Sequence, residues 1–314
     1  MSASVAKVIA ALIPKYLDQD LVAVVEGGPE ETQALLDKKF DLIFFTGSGK
    51  VGTLVAQKAA TTLTPVVLEL GGKSPAIVWS DADIKIAAKR LTWGKFMNAG
   101  QTCVAPDYIL VHPSVKNELV EEIKKSIQEF YGDSIHENKD YCRIINDANF
   151  DRLVRLMEGS NVIFGGVTDK STRYIAPTLL ESTGNSRAMQ EEIFGPLLPV
   201  LEIPTLDKMI EFVNDRPKPL ALYIFAHDTE VVDQVLDQTS SGGVSVNDVI
   251  MHMVSPNLPF GGVGSSGMGN YHGEASFRTF THAKSVLRKS TLVDIPLRYA
   301  PYTDSKIKWI KRLI

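Results

Sequence analysis

The amino-acid sequence predicts an α/β fold with parallel sheets covered on both faces. Three observations carry this. Short apolar runs such as Leu21–Val25, Asp41–Phe45 and Pro65–Leu70 have the length and β-branched content of buried strands. Stretches of helical periodicity alternate with them, the pattern of a parallel sheet flanked by helices. Glycine clusters, Gly27-Gly28, Gly47–Gly52 and Gly71-Gly72, punctuate the joints between them.

Taken in order, the chain opens on an amphipathic helix running from Met1 to about Leu12, with Ser2 or Ser4 as its N-cap. Leu21–Val25 reads as a buried strand stopped by the Gly27-Gly28-Pro29 turn, and a helix follows over about Glu30–Lys38. Asp41–Phe45 is the next buried strand. Thr46-Gly-Ser-Gly-Lys-Val-Gly52 is a glycine turn opening a helix to about Ala60, and Pro65–Leu70 is the third strand. Beyond Gly71-Gly72 a second α/β unit is expected. Its strands are Ala76–Trp79, Tyr108–Val111, Val162–Phe164, Leu197–Leu201, Leu222–Phe225 and Gly243–Val246. Its helices are Ile84–Phe96, Ser114–Phe130, Ala148–Gly159, Leu206–Asn214 and Thr229–Gln238. Phe260–Gly269 is a glycine-rich loop, and there is no internal repeat.

A chain of 314 residues with 44% apolar and 22% charged residues suits two domains and excludes disordered and collagen-like classes. The net charge of −4 gives no reason to expect nucleic acid as a partner. The charge is uneven: Lys284–Ile314 carries eight Lys/Arg against Asp294 and Asp304, which leaves −10 on the rest. Two cysteines, Cys103 and Cys142, make no disulfide framework and point to a reducing compartment and a cytoplasmic protein. Met1 opens no secretory signal, and no apolar run approaches the ~20 residues of a membrane span. The six histidines form no metal-ligand spacing.

Four segments carry candidate chemistry. Gly47-Ser-Gly-Lys-Val-Gly52 matches G-x-G-x-x-G between a strand and a helix, a context in which backbone N–H groups hold phosphates; Thr53 in place of Lys excludes a P-loop. Glu69 stands 17 residues beyond Gly52 at a strand end. It is open to three readings: a ribose ligand, a general base in a cleft, or a structural carboxylate. Cys103 sits in a loop of small and polar residues ahead of Pro106, where a thiol of lowered pKa is a nucleophile and an ordinary thiol is packing. In Gln190-Glu-Glu-Ile-Phe-Gly-Pro196 paired carboxylates precede an aromatic, fit either to bind a diol beside a ring or to end a helix in a turn.

Together these segments resemble the aldehyde dehydrogenase superfamily. The matches are Phe45-Thr-Gly-Ser48, Leu68-Glu-Leu-Gly-Gly-Lys73, Gly100-Gln-Thr-Cys103, Glu192-Ile-Phe-Gly-Pro196 and Leu258-Pro-Phe-Gly-Gly262, in the family's order. Glu69 to Cys103 is 34 residues and Cys103 to Glu192 is 89, the family's spacing. Trp93-Gly-Lys-Phe-Met97, Val104-Ala-Pro-Asp-Tyr108 and Arg298-Tyr-Ala-Pro-Tyr302 look like the class 3 or fatty aldehyde dehydrogenase branch.

The resemblance implies roles. Cys103 is the expected nucleophile and Glu69 the expected base for thioester hydrolysis. Gly47, Ser48 and Gly52 match the pyrophosphate segment of an NAD or NADP site, Glu192 the carboxylate on the nicotinamide ribose, and Phe194 the ring beside it. Asn247 and Phe260 match positions near the aldehyde pocket, against plain readings of loop hydrogen bonding and core packing. The implied fold is an incomplete Rossmann-like cofactor domain over residues 1–71, an α/β catalytic domain over 72–268 and a C-terminal oligomerisation segment over 269–314.

The implied reaction oxidises a medium- or long-chain aliphatic or an aromatic aldehyde to its acid, in a homodimer. The family's chain normally extends well before the position matching Met1, with an oxyanion-holding Asn and adenosine-ribose residues there. The sequence therefore reads as part of a larger enzyme, and the alternative is an inactive fragment or interaction subunit. Lys306–Ile314 is short, basic and amphipathic, and a weak peripheral contact with an intracellular membrane is the alternative to a solvated end.

Overall fold

The computed structural model describes residues 3–313. Ser2, one of the two candidate N-caps, lies outside them, and Ser4 falls inside the first helix. Residues up to Phe280 form one compact unit and Thr281–Ile314 a second. The last helix of the first unit, Gly273–Phe280, lies beyond the expected start of the C-terminal segment at 269.

The chain begins with α1 (Ala3–Tyr16), α2 (Pro29–Leu36), β1 (Ile43–Gly47), α3 (Gly49–Ala60) and β2 (Val66–Leu70). It continues through β3 (Pro75–Val78), α4 (Ile84–Phe96), β4 (Tyr108–Val111), α5 (Pro113–Tyr131), α6 (Asp147–Met157) and β5 (Asn161–Phe164). Then come β6 (Thr168–Asp169), β7 (Tyr174–Ile175), β8 (Thr178–Glu181), β9 (Leu197–Glu202), α7 (Leu206–Asn214), β10 (Ala221–Phe225), α8 (Thr229–Gln238) and β11 (Gly243–Val246). β12 (Gly267–Met268) and α9 (Gly273–Phe280) complete the first unit, and α10 (Asp304–Leu313) lies in the second.

Helix starts follow from side-chain caps that satisfy free backbone N–H groups. Ser48 accepts from Val51 N–H at the head of α3, Asp83 from Ile86 N–H at α4, and Asn146 from Asn149 N–H at α6. Thr205 and Asp228 do the same for α7 and α8. α5 buries Val115, Leu119, Ile123 and Ile127, a stripe spaced by four, in the core that holds Ala87, Ala88 and Leu91 of α4.

A seven-stranded sheet in the order β11-β10-β3-β4-β9-β8-β5 forms the body, parallel throughout except where β5 runs against β8. Apolar clusters fill both faces, which is why β3, β4 and β10 are buried along their whole length. A smaller sheet, β1-β2-β12, pairs β1 and β2 in parallel and β2 and β12 antiparallel. The chain leaves β2 at Glu69-Leu70, crosses Gly71–Ser74 into the larger sheet, and returns at β12, where Gly267 pairs with Glu69. That return brings the 262–268 loop against Glu69.

Two expectations fail. Leu21–Val25 forms no strand: no described residue pairs with it, and Leu21 and Val25 are 84% and 58% exposed. An apolar run is a strand only when a ladder satisfies its backbone. The strand expected as buried at Asp41–Phe45 lies instead at Ile43–Gly47, alternates half-buried with exposed residues, and leaves Phe44 outward at the sheet edge. α1 likewise buries no residue.

Candidate active site

Cys103 is placed by the way α4 ends. After Phe96 the chain makes a tight 3-10 turn, Met97–Gly100, in which Asn98, Ala99 and Gly100 all take positive φ (53°, 51° and 73°). Gly100 is required there, since a Cβ would collide with the Gly195 carbonyl. Gln101 locks the loop: its Nε2 donates to the carbonyls of Asn98 (3.0 Å) and Arg143 (3.1 Å), and its Oε1 accepts from Ile145 N–H at 2.9 Å. The buried Tyr223 hydroxyl donates to the Val104 carbonyl just past the cysteine. Cys103 is half-buried against the main core.

Burial pushes the thiol pKa up, and the charges of Glu69 and Glu192 push it further; the backbone N–H groups of Cys103 and Val104 pull the other way. The structure thus brings the cysteine and both carboxylates into one electrostatic neighbourhood. It does not hold a preformed thiolate.

Glu69, on β2, is 3% exposed. Burial pushes its carboxyl up to about 7, with the Gly262 N–H pulling down, and its Oε1 has no hydrogen-bond partner. A carboxyl poised near neutrality with a free oxygen is suited to take a proton.

Glu192 stands over Gly71-Gly72. A Cβ on Gly71 would fall on its carboxylate, and the Gly72 N–H is hydrogen-bonded to that carboxylate. Burial, then the Asp107 charge, push Glu192 up to about 7; Lys73 and Arg152 pull it down. Around it lies a cluster that sequence reasoning missed. Lys73 forms a buried ion pair with Asp107 and donates to the Ala188 and Glu191 carbonyls at 2.8 and 2.9 Å. Asp107 accepts from Ile193 N–H at 2.9 Å. Lys95 is wholly buried with Nζ unpartnered, and burial pushes it down to about 8. Each belongs to a segment quoted for its motif, but only through-space contacts reveal the cluster. Tyr271 is a further missed neighbour. Burial and the charges of Glu69 and Cys103 push its hydroxyl up to about 12.

The other expected site residues are placed as follows. Gly47 ends β1 and Ser48 caps α3, with open space over Gly49. Gly52 is buried inside α3, where a Cβ would run into the Leu70 side chain, so it serves close helix–strand packing. Phe194 is 39% exposed with φ 45°. The Asn247 amide bonds both backbone groups of Ala226, at 2.9 and 3.1 Å. Phe260 is buried in the core and stacks on His272, ring centroids 5.4 Å apart. A cleft of about 290 Å³ runs past Gly49, Gly71, Gly72, Lys73, Glu192 and Arg216. Its donors and acceptors fit a dinucleotide: the head of α3 and Arg216 for phosphates, and the Glu192 carboxylate for a ribose diol. Among the described residues no group of three or more His, Cys, Asp or Glu is arranged to hold a metal ion.

A loop cysteine within reach of the charge of a buried carboxylate, beside a glycine-lined cleft at the seam of two sheets, defines a thiol-centred α/β site. The aldehyde dehydrogenase family profile matches residues 1–286. The chain is 52% identical to aldehyde dehydrogenase family 3 member A2 of Pongo abelii, over 99% of this chain and 65% of that protein. It is 53% identical to the dimeric NADP-preferring aldehyde dehydrogenase of Rattus norvegicus, over 93% of this chain and 65% of that one. The solved substrate-bound state of Staphylococcus aureus AldH aligns with a TM-score of 0.94 at 51% identity, over 98% of this chain and 68% of that one. The chain belongs to the aldehyde dehydrogenase family. It spans about 65% of the length of these two curated relatives.

Proposed function

We propose that the protein oxidises an aldehyde to a carboxylic acid with NAD or NADP, through a covalent intermediate on Cys103. The carrying observation is the shared neighbourhood of Cys103 and Glu69, the carboxylate buried and the half-buried thiol sensing its charge. The Cys103 thiol loses its proton to solvent, and Sγ attacks the carbonyl carbon, forming a thiohemiacetal. A nicotinamide cofactor held by the Glu192 carboxylate and the head of α3 would supply a hydride acceptor and a positive charge. Loss of hydride leaves a thioester on Sγ. Glu69 takes a proton from water, hydroxide adds to the thioester carbonyl, and the C–S bond breaks to release acid and thiol. The balance is aldehyde, water and NAD(P)⁺ to acid, NAD(P)H and a proton.

The cofactor reading rests on the cleft chemistry and on relatives such as the NADP-preferring enzyme of rat and the NADP-complexed GapN structure from Methanocaldococcus jannaschii. The reading of an apolar aldehyde draws on a relative's name. A Staphylococcus aureus relative, 51% identical, is named 4,4'-diaponeurosporen-aldehyde dehydrogenase. A homodimer and a cytoplasmic location complete the proposal, the first supported by the rat relative's name.

The test pairs two assays on the purified chain. An activated ester such as p-nitrophenyl acetate acylates Sγ without any cofactor, so its hydrolysis reports Cys103 and Glu69 alone. NAD(P)H formation from a medium-chain aldehyde reports the whole reaction. Cys103→Ser is expected to abolish both. Ester hydrolysis without NAD(P)H formation means a thiol site with no working cofactor half, and absence of both overturns the proposal.

A further inference from the structure

We propose that Lys73 and Asp107 are positioning residues: a buried ion pair that grips the chain on both sides of Glu192 and so sets its carboxylate at the cofactor cleft. Only the meaning given to Glu192 rests on the function proposed above.

Between Gln190 and Pro196 the chain belongs to no helix or strand, so no ladder determines where Glu192 points. The segment is held from outside instead. Lys73 Nζ donates to the carbonyls of Ala188 and Glu191, before Glu192, at 2.8 and 2.9 Å. Asp107 Oδ1 accepts from the N–H of Ile193, after it, at 2.9 Å. The two side chains are joined to each other, and are only 13% and 4% exposed. Lys73 continues directly from Gly71-Gly72, the two glycines beneath the Glu192 carboxylate, so the floor of the cleft and the grip on its wall share three residues of chain.

Asp107 lies just before β4, in the body of the large sheet, and its N–H donates to the Ser74 carbonyl at 2.8 Å. The grip is therefore anchored to the crossing between the two sheets. The charged groups facing it are Glu192 itself, Lys95 and Arg152. Arg152 adds an outer hold, reaching Glu191 Oε1 and the Glu192 and Ile193 carbonyls at 3.0, 3.2 and 2.7 Å. Lys95, buried without a hydrogen bond, sets a positive charge near Asp107 and Glu192.

A purely structural ion pair would affect stability and every reaction together. A positioning pair should loosen the Glu192 segment while leaving Cys103 and Glu69 at work. The test is the double variant Lys73→Met/Asp107→Leu, which removes both charges so that neither is left buried alone. Amide exchange over residues 188–194, p-nitrophenyl acetate hydrolysis and NADH binding by fluorescence are measured on the full chain. We expect exchange at Ile193 and Phe194 to rise about tenfold or more, the scale of losing charge-assisted hydrogen bonds. NADH affinity should fall by about the same factor while ester hydrolysis stays within about twofold of wild type.

Unchanged exchange, or ester hydrolysis falling in step with binding, overturns the positioning role. If the double variant does not fold, Asp107→Asn weakens the hold on Ile193 N–H from a charged to a neutral acceptor; a smaller rise in exchange, about two- to threefold, with ester hydrolysis unchanged, is required of it. A wild-type chain that binds no NADH counts against the cofactor reading, and exchange with ester hydrolysis still decides the grip.

Discussion

Glu69 and Cys103 pull on each other in a way that single substitutions separate. The Glu69 carboxyl, raised to about 7, ionises across neutral pH, so hydrolysis of the thioester on Cys103 should climb as pH rises through about 7 and level off above it. Glu69→Gln should lower that hydrolysis by about 10²-fold or more and abolish the rise. The same substitution removes a negative charge that holds the thiol pKa up, so alkylation of Cys103 by iodoacetamide at pH 8 should be faster in the variant. Unchanged alkylation would show that the two groups do not share a site. A carboxyl whose folded pKa is raised contributes stability present below its unfolded value near 4.5, and loses it as pH climbs to about 7. Glu69→Gln should therefore gain about 2 kcal/mol relative to wild type at pH 8 and little at pH 4.5, read from denaturant midpoints. At this scale the sequence named the candidates. It did not disclose that the thiol is raised, because the responsible charges lie 34 and 89 residues away along the chain.

Among elements, those set by local chemistry were legible. α4, α7 and α8 run as expected because a capping Asp or Thr and an apolar stripe within a few residues decide them. β12 was not, since its two residues become a strand only by pairing with β2 some 200 positions earlier. Leu21–Val25 shows the converse, a strand-like run with no described partner. The turn after α4 depends on one glycine. Gly100→Ala forces a side chain into positive φ against the Gly195 carbonyl, and should cost about 1–3 kcal/mol in thermal unfolding while altering Cys103 alkylation. Equal stability with unchanged alkylation would remove the close approach as the reason for glycine. In the second unit, α10 carries Lys306, Lys308, Lys311 and Arg312 with exposed Trp309. A membrane contact there predicts salt-sensitive co-sedimentation with anionic vesicles, and absence of co-sedimentation dismisses it.

At the scale of the molecule, stability is concentrated in the seven-stranded body. Leu119, fully buried where α5 meets the core, should cost about 2–5 kcal/mol as Leu119→Ala, visible as a lower denaturant midpoint. The small sheet is bound less fully. Val5, Ile9, Leu12, Leu21, Phe44, Leu54 and Leu63 remain exposed, and β1 is an open edge. Exposed apolar surface of this kind predicts dye binding by 1-anilinonaphthalene-8-sulfonate and concentration-dependent light scattering for the chain as it stands.

The amino-acid sequence by itself determined the α/β class, the helices whose caps and stripes lie within a turn or two, and the set of residues able to carry the chemistry. Those features depend on neighbours a few positions apart, which any chain of this sequence carries with it. Only the tertiary structure decided that Glu69, Cys103 and Glu192 act on one another, that Asn247 serves a loop and Gly52 a packing contact, and that Lys73 and Asp107 close around Glu192. Burial and Coulomb interaction act through space, and the distances that govern them exist only once the two sheets have met at Gly71–Ser74.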